Sequence, residues 1–315
     1  MNRQNLLEDW RHLGSRQVAV NGIELQVTEH GEGPLVVFCH GFPELGFSWR
    51  HQVFALAEAG FRTLTPDMRG YGGSSRPDRI EDYGIMAVCG DLIGLLDDVD
   101  ADDAIFVGHD WGASVVWRLA LEYPERVRAV AGLSVPATRR PPAPPLQILR
   151  SRLTDDFYMC WFQEPGVADT VLAADVRRTL LQDDVISARR MVSQSGAEMP
   201  TPPWLSDAEL NYYLDTFSKT GFTGGLNYYR NLDRDWELSA HLDGKRIDQP
   251  SLFIAGARDP VIQFTRTDRL PAMLTDLRAS LILEDAGHWI QQERPNEVND
   301  ALIAFAREVC GAGTN

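Results

Sequence analysis

One turn constrains the fold of this chain more than any other feature. Residues 104–107 are an apolar run that predicts a buried strand, and the pattern of residues 113–123 predicts a helix. Between them, residues 108–112 read Gly-His-Asp-Trp-Gly. Glycines at this spacing permit a strained strand-to-helix turn that exposes its central residue. The spacing therefore predicts a nucleophile elbow with Asp110 at its apex.

The residue at the apex of such an elbow decides which bond it can attack. A serine there forms an acyl-enzyme, whereas a carboxylate such as Asp110 forms an ester by attacking a saturated carbon. The aspartate therefore favours the opening of an epoxide or the displacement of a halide over ester hydrolysis.

The size and charge of the chain exclude several classes of protein. A length of 315 residues suits one large domain or a core domain with an insertion. The net charge of −15 argues against nucleic acid or an anionic membrane as a partner. No apolar stretch is long enough to span a bilayer, and no signal peptide is visible at the N-terminus.

The four cysteines give no sign of a disulfide framework or a zinc site. They are Cys39, Cys89, Cys160 and Cys310, and no two of them are close in sequence. We expect Cys39 and Cys160 to be buried thiols. This usage fits a reducing compartment, so we expect a cytoplasmic protein with no metal site.

Strands and helices alternate in the first part of the chain and again near its end. Apolar runs predict strands at residues 18–20, 25–28, 35–39, 62–65, 104–107, 127–133, 251–255 and 280–283. Helices are predicted at residues 86–96, 113–123 and 297–309. Asn21-Gly22 predicts a hairpin turn between the first two strands. Near-continuous apolar strands separated by helices indicate an α/β fold with a mostly parallel sheet covered on both faces.

A helical segment interrupts this alternation. A proline-rich stretch at residues 139–145 reads as a stiff boundary, and residues 146–240 show helical periodicity without a convincing strand. Ser206 and Glu209 form a capping-box signature that opens one of these helices. We therefore predict a core domain at residues 1–137 and 246–315 and a helical cap domain at residues 138–245. Insertions of this kind usually cover the ligand crevice.

Two more residues complete a catalytic triad with Asp110. Asp259 follows the strand at residues 251–255, and His288 follows the strand at residues 280–283. Both loops are expected at the same sheet edge as the elbow. The chain order of nucleophile, acid and histidine matches the triad order of α/β hydrolases.

The loop after the strand at residues 35–39 reads His-Gly-Phe-Pro. Its glycine lets the backbone turn so that an amide faces the nucleophile. We expect the backbone N–H groups of Phe42 and Trp111 to form an oxyanion hole. His40 and His109 are expected to have structural hydrogen-bonding roles instead of catalytic ones.

Together, these motifs resemble the α/β-hydrolase-fold epoxide hydrolases from about residue 17 through nearly the whole chain. The resemblance implies the α/β-hydrolase fold with an inserted helical lid. It implies a hydroxyalkyl ester of Asp110, hydrolysed by water that His288 activates, and a vicinal diol as product. The implied partners are a small-molecule epoxide and water, and the reaction requires no metal or organic cofactor. The sequence is also compatible with a homodimer.

The resemblance extends into the lid. Residues 157–166 and 227–231 are similar to the two tyrosine-bearing segments of the family, which implies ring-opening roles for Tyr158 and Tyr229. Neighbours on a helix point about 100° apart, so Tyr228 and Tyr229 cannot both face the pocket. We expect the side chains of Trp111, Phe42 and Trp289 to contact the substrate.

Three other functions fit the sequence less well. A haloalkane dehalogenase shares the aspartate nucleophile, but Phe42 and the Tyr158/Tyr229 pair favour the epoxide. A fluoroacetate dehalogenase is disfavoured because its elbow carries arginine where this chain has Trp111. A non-catalytic ligand receptor on this fold often lacks a triad member, and this chain retains all three.

Overall fold

The computed structural model describes residues 6–153, 155–181, 199–265 and 267–311, and one sheet of eight strands organises that part of the chain. The strands are β1 Arg16–Val20, β2 Ile23–His30, β3 Leu35–Cys39, β4 Arg62–Pro66, β5 Ala104–His109, β6 Val127–Leu133, β7 Ser251–Gly256 and β8 Leu277–Leu283. Their order in the sheet is β1-β2-β4-β3-β5-β6-β7-β8. The β1–β2 and β2–β4 pairs are antiparallel and all other pairs are parallel, which confirms the predicted mostly parallel sheet.

Fifteen α-helices, besides a few short 3-10 helices, accompany the sheet in the described residues. They are α1 Leu6–Leu13, α2 Arg50–Glu58, α3 Ile85–Asp98, α4 Trp111–Glu122, α5 Pro145–Arg152, α6 Tyr158–Trp161, α7 Val167–Ala174, α8 Val176–Leu181, α9 Asp207–Thr220, α10 Thr223–Arg230, α11 Leu232–Leu238, α12 Pro260–Phe264, α13 Leu270–Met273, α14 Ile290–Glu293 and α15 Pro295–Val309. Every residue of β3, β5 and β7 is buried. Successive strand residues face opposite sides of a sheet, so both faces of its centre are covered.

In its described residues, the stretch between β6 and β7 forms helices and loops but no strand. Helices α5 to α11 lie there, as predicted, and residues 182–198 of the segment fall outside the described residues. Buried polar contacts join this segment to the rest of the chain. The Tyr228 hydroxyl donates to the carbonyl of Arg69, and the buried Arg50 guanidinium pairs with Glu209 at 2.6 Å.

Two local sequence signals have the predicted geometry. Asn21 and Gly22 both have positive φ, 46° and 78°, as a tight hairpin turn between β1 and β2 requires. The Ser206 hydroxyl accepts from the N–H of Glu209, and the Glu209 carboxylate accepts from the N–H of Ser206. The predicted capping box is therefore confirmed at the start of α9.

The cysteines are thiols, and Cys39 and Cys160 are buried as predicted. Within the described ranges, no helix is long and apolar enough to cross a membrane. The same ranges contain no group of three or more His, Cys, Asp or Glu side chains arranged to hold a metal ion.

Candidate active site

The turn between β5 and α4 holds Asp110 in a strained conformation. Its φ of 52° and ψ of −117° lie where a residue with a side chain rarely sits. The flanking glycines make the turn possible, since a Cβ on Gly108 would overlap the Gly112 carbonyl, and one on Gly112 would overlap the Cys39 carbonyl. The elbow thus projects the Asp110 side chain from the carboxyl edge of the sheet.

Two backbone amides face the Asp110 carboxylate. The N–H of Phe42 donates to Oδ1 at 2.9 Å. The N–H of Trp111 is close enough to favour the charged carboxylate as well. A Cβ on Gly41 would overlap the side chain of Asp110, so the loop approaches this closely only with glycine there. Burial raises the pKa of Asp110, although nearby histidines and both amides favour its charged form. The amides therefore stand where negative charge on an Asp110 oxygen would develop.

His288 lies between two carboxylates. Its Nδ1 is 3.0 Å from Oδ2 of the fully buried Asp259, and its Nε2 is 3.7 Å from Oδ2 of Asp110. Asp259 follows β7 and accepts from the N–H of Val261 at 2.8 Å through its other oxygen. The three residues that the sequence places after three separate strands therefore meet at one sheet edge.

The charges of this cluster depend on one another. Burial lowers the pKa of His288, but Asp259 and Asp110 outweigh burial and raise that pKa to about 9. Burial likewise raises the pKa of Asp259, but the charge and hydrogen bond of His288 outweigh it and lower that pKa. With a pKa of about 9, His288 is therefore a cation at neutral pH in the free protein, and it faces both carboxyl groups.

A cavity of about 370 Å³ opens over Asp110. Tyr158 of α6 and Tyr229 of α10 line it together with Trp111, and the two phenol rings are 5.8 Å apart at 78°. Burial raises the pKa of both phenols, and the charge of Asp110 raises them further. Both tyrosines therefore keep their protons and can act as hydrogen-bond donors inside the cavity.

Neighbouring Tyr228 faces elsewhere. Its hydroxyl donates to the Arg69 carbonyl at 2.9 Å, and its ring contacts Tyr71 and Tyr83. In the described residues, the cavity wall includes Tyr229 but not Tyr228. This separation follows from the angle of about 100° between successive helix residues.

The aromatic residues expected to contact substrate have different surroundings. Trp111 lines the cavity. The Phe42 ring is buried against Phe162 and Tyr229, and the Trp289 ring packs against His288. Contact of the Phe42 or Trp289 ring with a substrate stays a prediction, since neither is among the described residues of the cavity wall.

The two other histidines in these motifs have hydrogen-bonding roles. His40 bonds the Gly41 carbonyl through Nδ1 and accepts from the N–H of Met68 through Nε2. Buried His109 contacts Glu44 through Nδ1 and the His288 carbonyl through Nε2, both at 2.7 Å. Sequence reasoning missed Glu44, which also accepts from the N–H of Gly41 and so links the amide loop to the histidine loop.

Comparison with known proteins identifies the family of this chain. A family model described as alpha/beta hydrolase fold matches residues 34–295. Epoxide hydrolase A of Mycobacterium tuberculosis is 50% identical over 309 residues, which cover 92% of this chain and 96% of that protein. Bifunctional epoxide hydrolase 2 of Mus musculus is 41% identical, with 90% of this chain and 53% of that protein covered.

A solved structure gives the same result. The crystal structure of epoxide hydrolase A from Mycobacterium thermoresistibile has a TM-score of 0.88 and 50% identity, and the match covers 93% of this chain and 98% of that one. The chain belongs to the α/β-hydrolase family and, within it, to the epoxide hydrolases. The fold and the family expected from the sequence motifs are confirmed.

Proposed function

We propose that this enzyme converts an epoxide to a vicinal diol through a covalent ester of Asp110. The observation that carries the proposal is one cavity lined by a strained carboxylate and two protonated phenols, with His288 Nε2 3.7 Å from that carboxylate. An epoxide needs a nucleophile at carbon and a donor at oxygen, and these groups supply both.

In the first half-reaction, Asp110 attacks one ring carbon while Tyr158 and Tyr229 donate hydrogen bonds to the epoxide oxygen. The carbon–oxygen bond breaks, and the developing alkoxide takes a proton from a phenol because an alkoxide is far more basic than a phenolate. The product is a hydroxyalkyl ester of Asp110. His288 takes no part in forming that bond.

In the second half-reaction, His288 removes a proton from water, and the resulting hydroxide attacks the Asp110 carbonyl carbon. The tetrahedral oxyanion is stabilised by the N–H groups of Phe42 and Trp111, which already face this carboxylate. Asp259 orients the imidazole ring and stabilises its cationic form. The ester bond breaks, and the leaving diol oxygen takes the proton that His288 gained from water. The new carboxyl group of Asp110 gives up its proton, the phenolate left from ring opening regains one, and the diol leaves.

The ester itself prepares His288 to act as a base. In the free enzyme the pKa of His288 is about 9, partly because the Asp110 anion faces it. Esterification removes that negative charge, so the cation loses one of its two carboxylate partners and its pKa falls. The histidine then releases its proton more readily in the step that requires a neutral imidazole.

This coupling predicts a specific pH dependence. The rate of ester hydrolysis should rise with pH as His288 loses its proton, and it should become constant above the pKa of that group. In the ester intermediate this pKa should lie below the value of about 9 in the free enzyme. Decay of the Asp110 ester in rapid-quench experiments from about pH 5 to about pH 10 measures this. A hydrolysis rate that falls as pH rises would contradict the role of His288 as base.

We also propose that residues 138–245 act as a cap over the site. Tyr158 and Tyr229 belong to this segment, whereas Asp110, Asp259 and His288 lie on loops that follow sheet strands. The electrophilic and nucleophilic groups thus come from different parts of the chain and meet only across the cavity.

The reaction is tested by offering styrene oxide, an aliphatic trans-epoxide and a haloalkane, with diol and halide release both measured. We expect diol from at least one epoxide and negligible halide, because phenols suit an oxyanion leaving group. Asp110→Ala, which removes the nucleophile, is the control and should form neither product. Halide release without diol would favour the dehalogenase instead.

A further inference from the structure

The loop that carries His288 is held by a carboxylate that the proposed reaction does not use. Glu293, the last residue of α14, accepts from the N–H of Gly287 at 2.7 Å through Oε2. Its Oε1 accepts from the N–H of Trp289 at 2.9 Å. One carboxylate therefore binds the backbone immediately before and immediately after His288.

The backbone of His288 is fixed from its other side as well. Its carbonyl accepts from Nε2 of His109 at 2.7 Å and from the Ser134 hydroxyl at 3.0 Å. Asp259 contacts only the imidazole ring. If the two hydrogen bonds to Glu293 were lost, the loop would be free to shift, and the imidazole ring would turn about its contact with Asp259. The position of His288 Nε2 therefore depends on how firmly the backbone of the loop is held.

Gly287 allows the carboxylate to come this close. A Cβ on Gly287 would lie 3.0 Å from Oε1 and 3.3 Å from Oε2 of Glu293, which is tighter than ordinary contact. The φ of Gly287 is not positive, so an alanine fits the backbone and would press only on the glutamate. The absence of a side chain at Gly287 thus leaves room for the Glu293 carboxylate to reach the backbone.

We propose that Glu293 is a positioning residue for hydrolysis of the ester intermediate, an inference that rests on the proposed function. Through the two N–H bonds it holds Nε2 of His288 where water must be deprotonated. Displacing a catalytic group by about 1 Å can cost about a hundredfold in rate. Ring opening uses Asp110 and the tyrosines, so it does not depend on this placement.

An ionised carboxylate suits this task better than its amide. It offers two acceptor oxygens, one for each N–H. In Glu293→Gln, one oxygen could still accept, but the NH₂ group would face the other N–H. One hydrogen bond would be lost and the loop would shift, although the side chain keeps its size.

The test separates the two half-reactions in Glu293→Gln under single-turnover conditions. We expect ester formation within about twofold of wild type and ester hydrolysis slower by about tenfold to a hundredfold, so that the Asp110 adduct accumulates. Glu293→Asp, which keeps both oxygens, should recover part of the hydrolysis rate. Gly287→Ala should give a smaller defect in the same step, because the glutamate side chain can move.

The matched control is Glu297→Gln, which makes the same substitution in the next helix. Glu297 is half exposed and its contact with Arg294 is long, 3.9 Å, so both rates should equal those of wild type. An equal loss of both steps in folded Glu293→Gln, or an unchanged hydrolysis rate, would overturn the inference. Should that variant not fold, Gly287→Ala decides, since unchanged hydrolysis there also overturns it.

The wild type keeps the two proposals distinguishable. If it forms no Asp110 ester with an epoxide that it hydrates, the covalent mechanism itself fails. If it forms the ester and Glu293→Gln hydrolyses that ester at the wild-type rate, only the positioning role fails.

Discussion

Replacing His288 with glutamine is expected to stop the enzyme after a single ring opening. Asp110 and the two tyrosines remain, so one equivalent of epoxide should be consumed. The ester should then persist because no base activates water, and steady turnover should fall by at least about a thousandfold. Mass spectrometry of the intact protein and of its peptides should find Asp110 heavier by the mass of the substrate.

The matched variant Asp110→Asn should form no such adduct, because an amide is a poor nucleophile. In wild-type enzyme, a single turnover in ¹⁸O-labelled water should place the label in Asp110 and leave the diol unlabelled. This follows because water attacks the ester carbonyl and not the substrate carbon. Label in the diol on the first turnover, with no adduct in His288→Gln, would make Asp110 a general base and refute the covalent mechanism.

The centre of the sheet was the part of the fold most accessible from sequence. The predicted strands at residues 35–39 and 127–133 coincide with β3 and β6. Both are continuous apolar runs, because a parallel strand with helices on both faces must be apolar on both sides. Because burial requires apolar residues along the whole of each strand, the ends of β3 and β6 could be predicted from the sequence.

Several element boundaries differ from the prediction, and two of them have clear and different physical reasons. Helix α4 begins at Trp111, two residues before the prediction, since Gly112 weakens the helical pattern but is required by its close approach to the Cys39 carbonyl. Strand β8 begins at Leu277 instead of 280. It lies at the sheet edge, where the exposed Arg278 is tolerated although it interrupts the apolar pattern.

The positions of Asp110, Asp259 and His288 follow from motifs because each is tied to the end of a strand. The groups around them do not, because their partners are remote in sequence: Glu44 is 65 residues from His109, and Ser134 is 154 from His288. Spacing carries no information about such contacts. Glu293 is closer to His288, but only the folded loop shows that its carboxylate faces two N–H groups.

The double variant Tyr158→Phe/Tyr229→Phe tests which groups open the epoxide ring. Each phenol alone should sustain slow turnover, because one donor to the epoxide oxygen remains. Removing both leaves the alkoxide without a proton source in a buried cavity. Ester formation should then fall by about 10²–10⁴-fold, or roughly 3–5 kcal/mol in the barrier, as measured by single-turnover loss of epoxide.

Tyr228→Phe is the control for this experiment, since it makes the same change one residue away. Its hydroxyl is committed to the Arg69 carbonyl, so we expect a loss of about 1 kcal/mol in unfolding free energy and near wild-type rates in folded enzyme. Full ester formation in the double variant would remove the tyrosines from the mechanism. A large loss of ester formation in folded Tyr228→Phe, with Tyr229→Phe near wild type, would instead assign the ring-opening role to this neighbour.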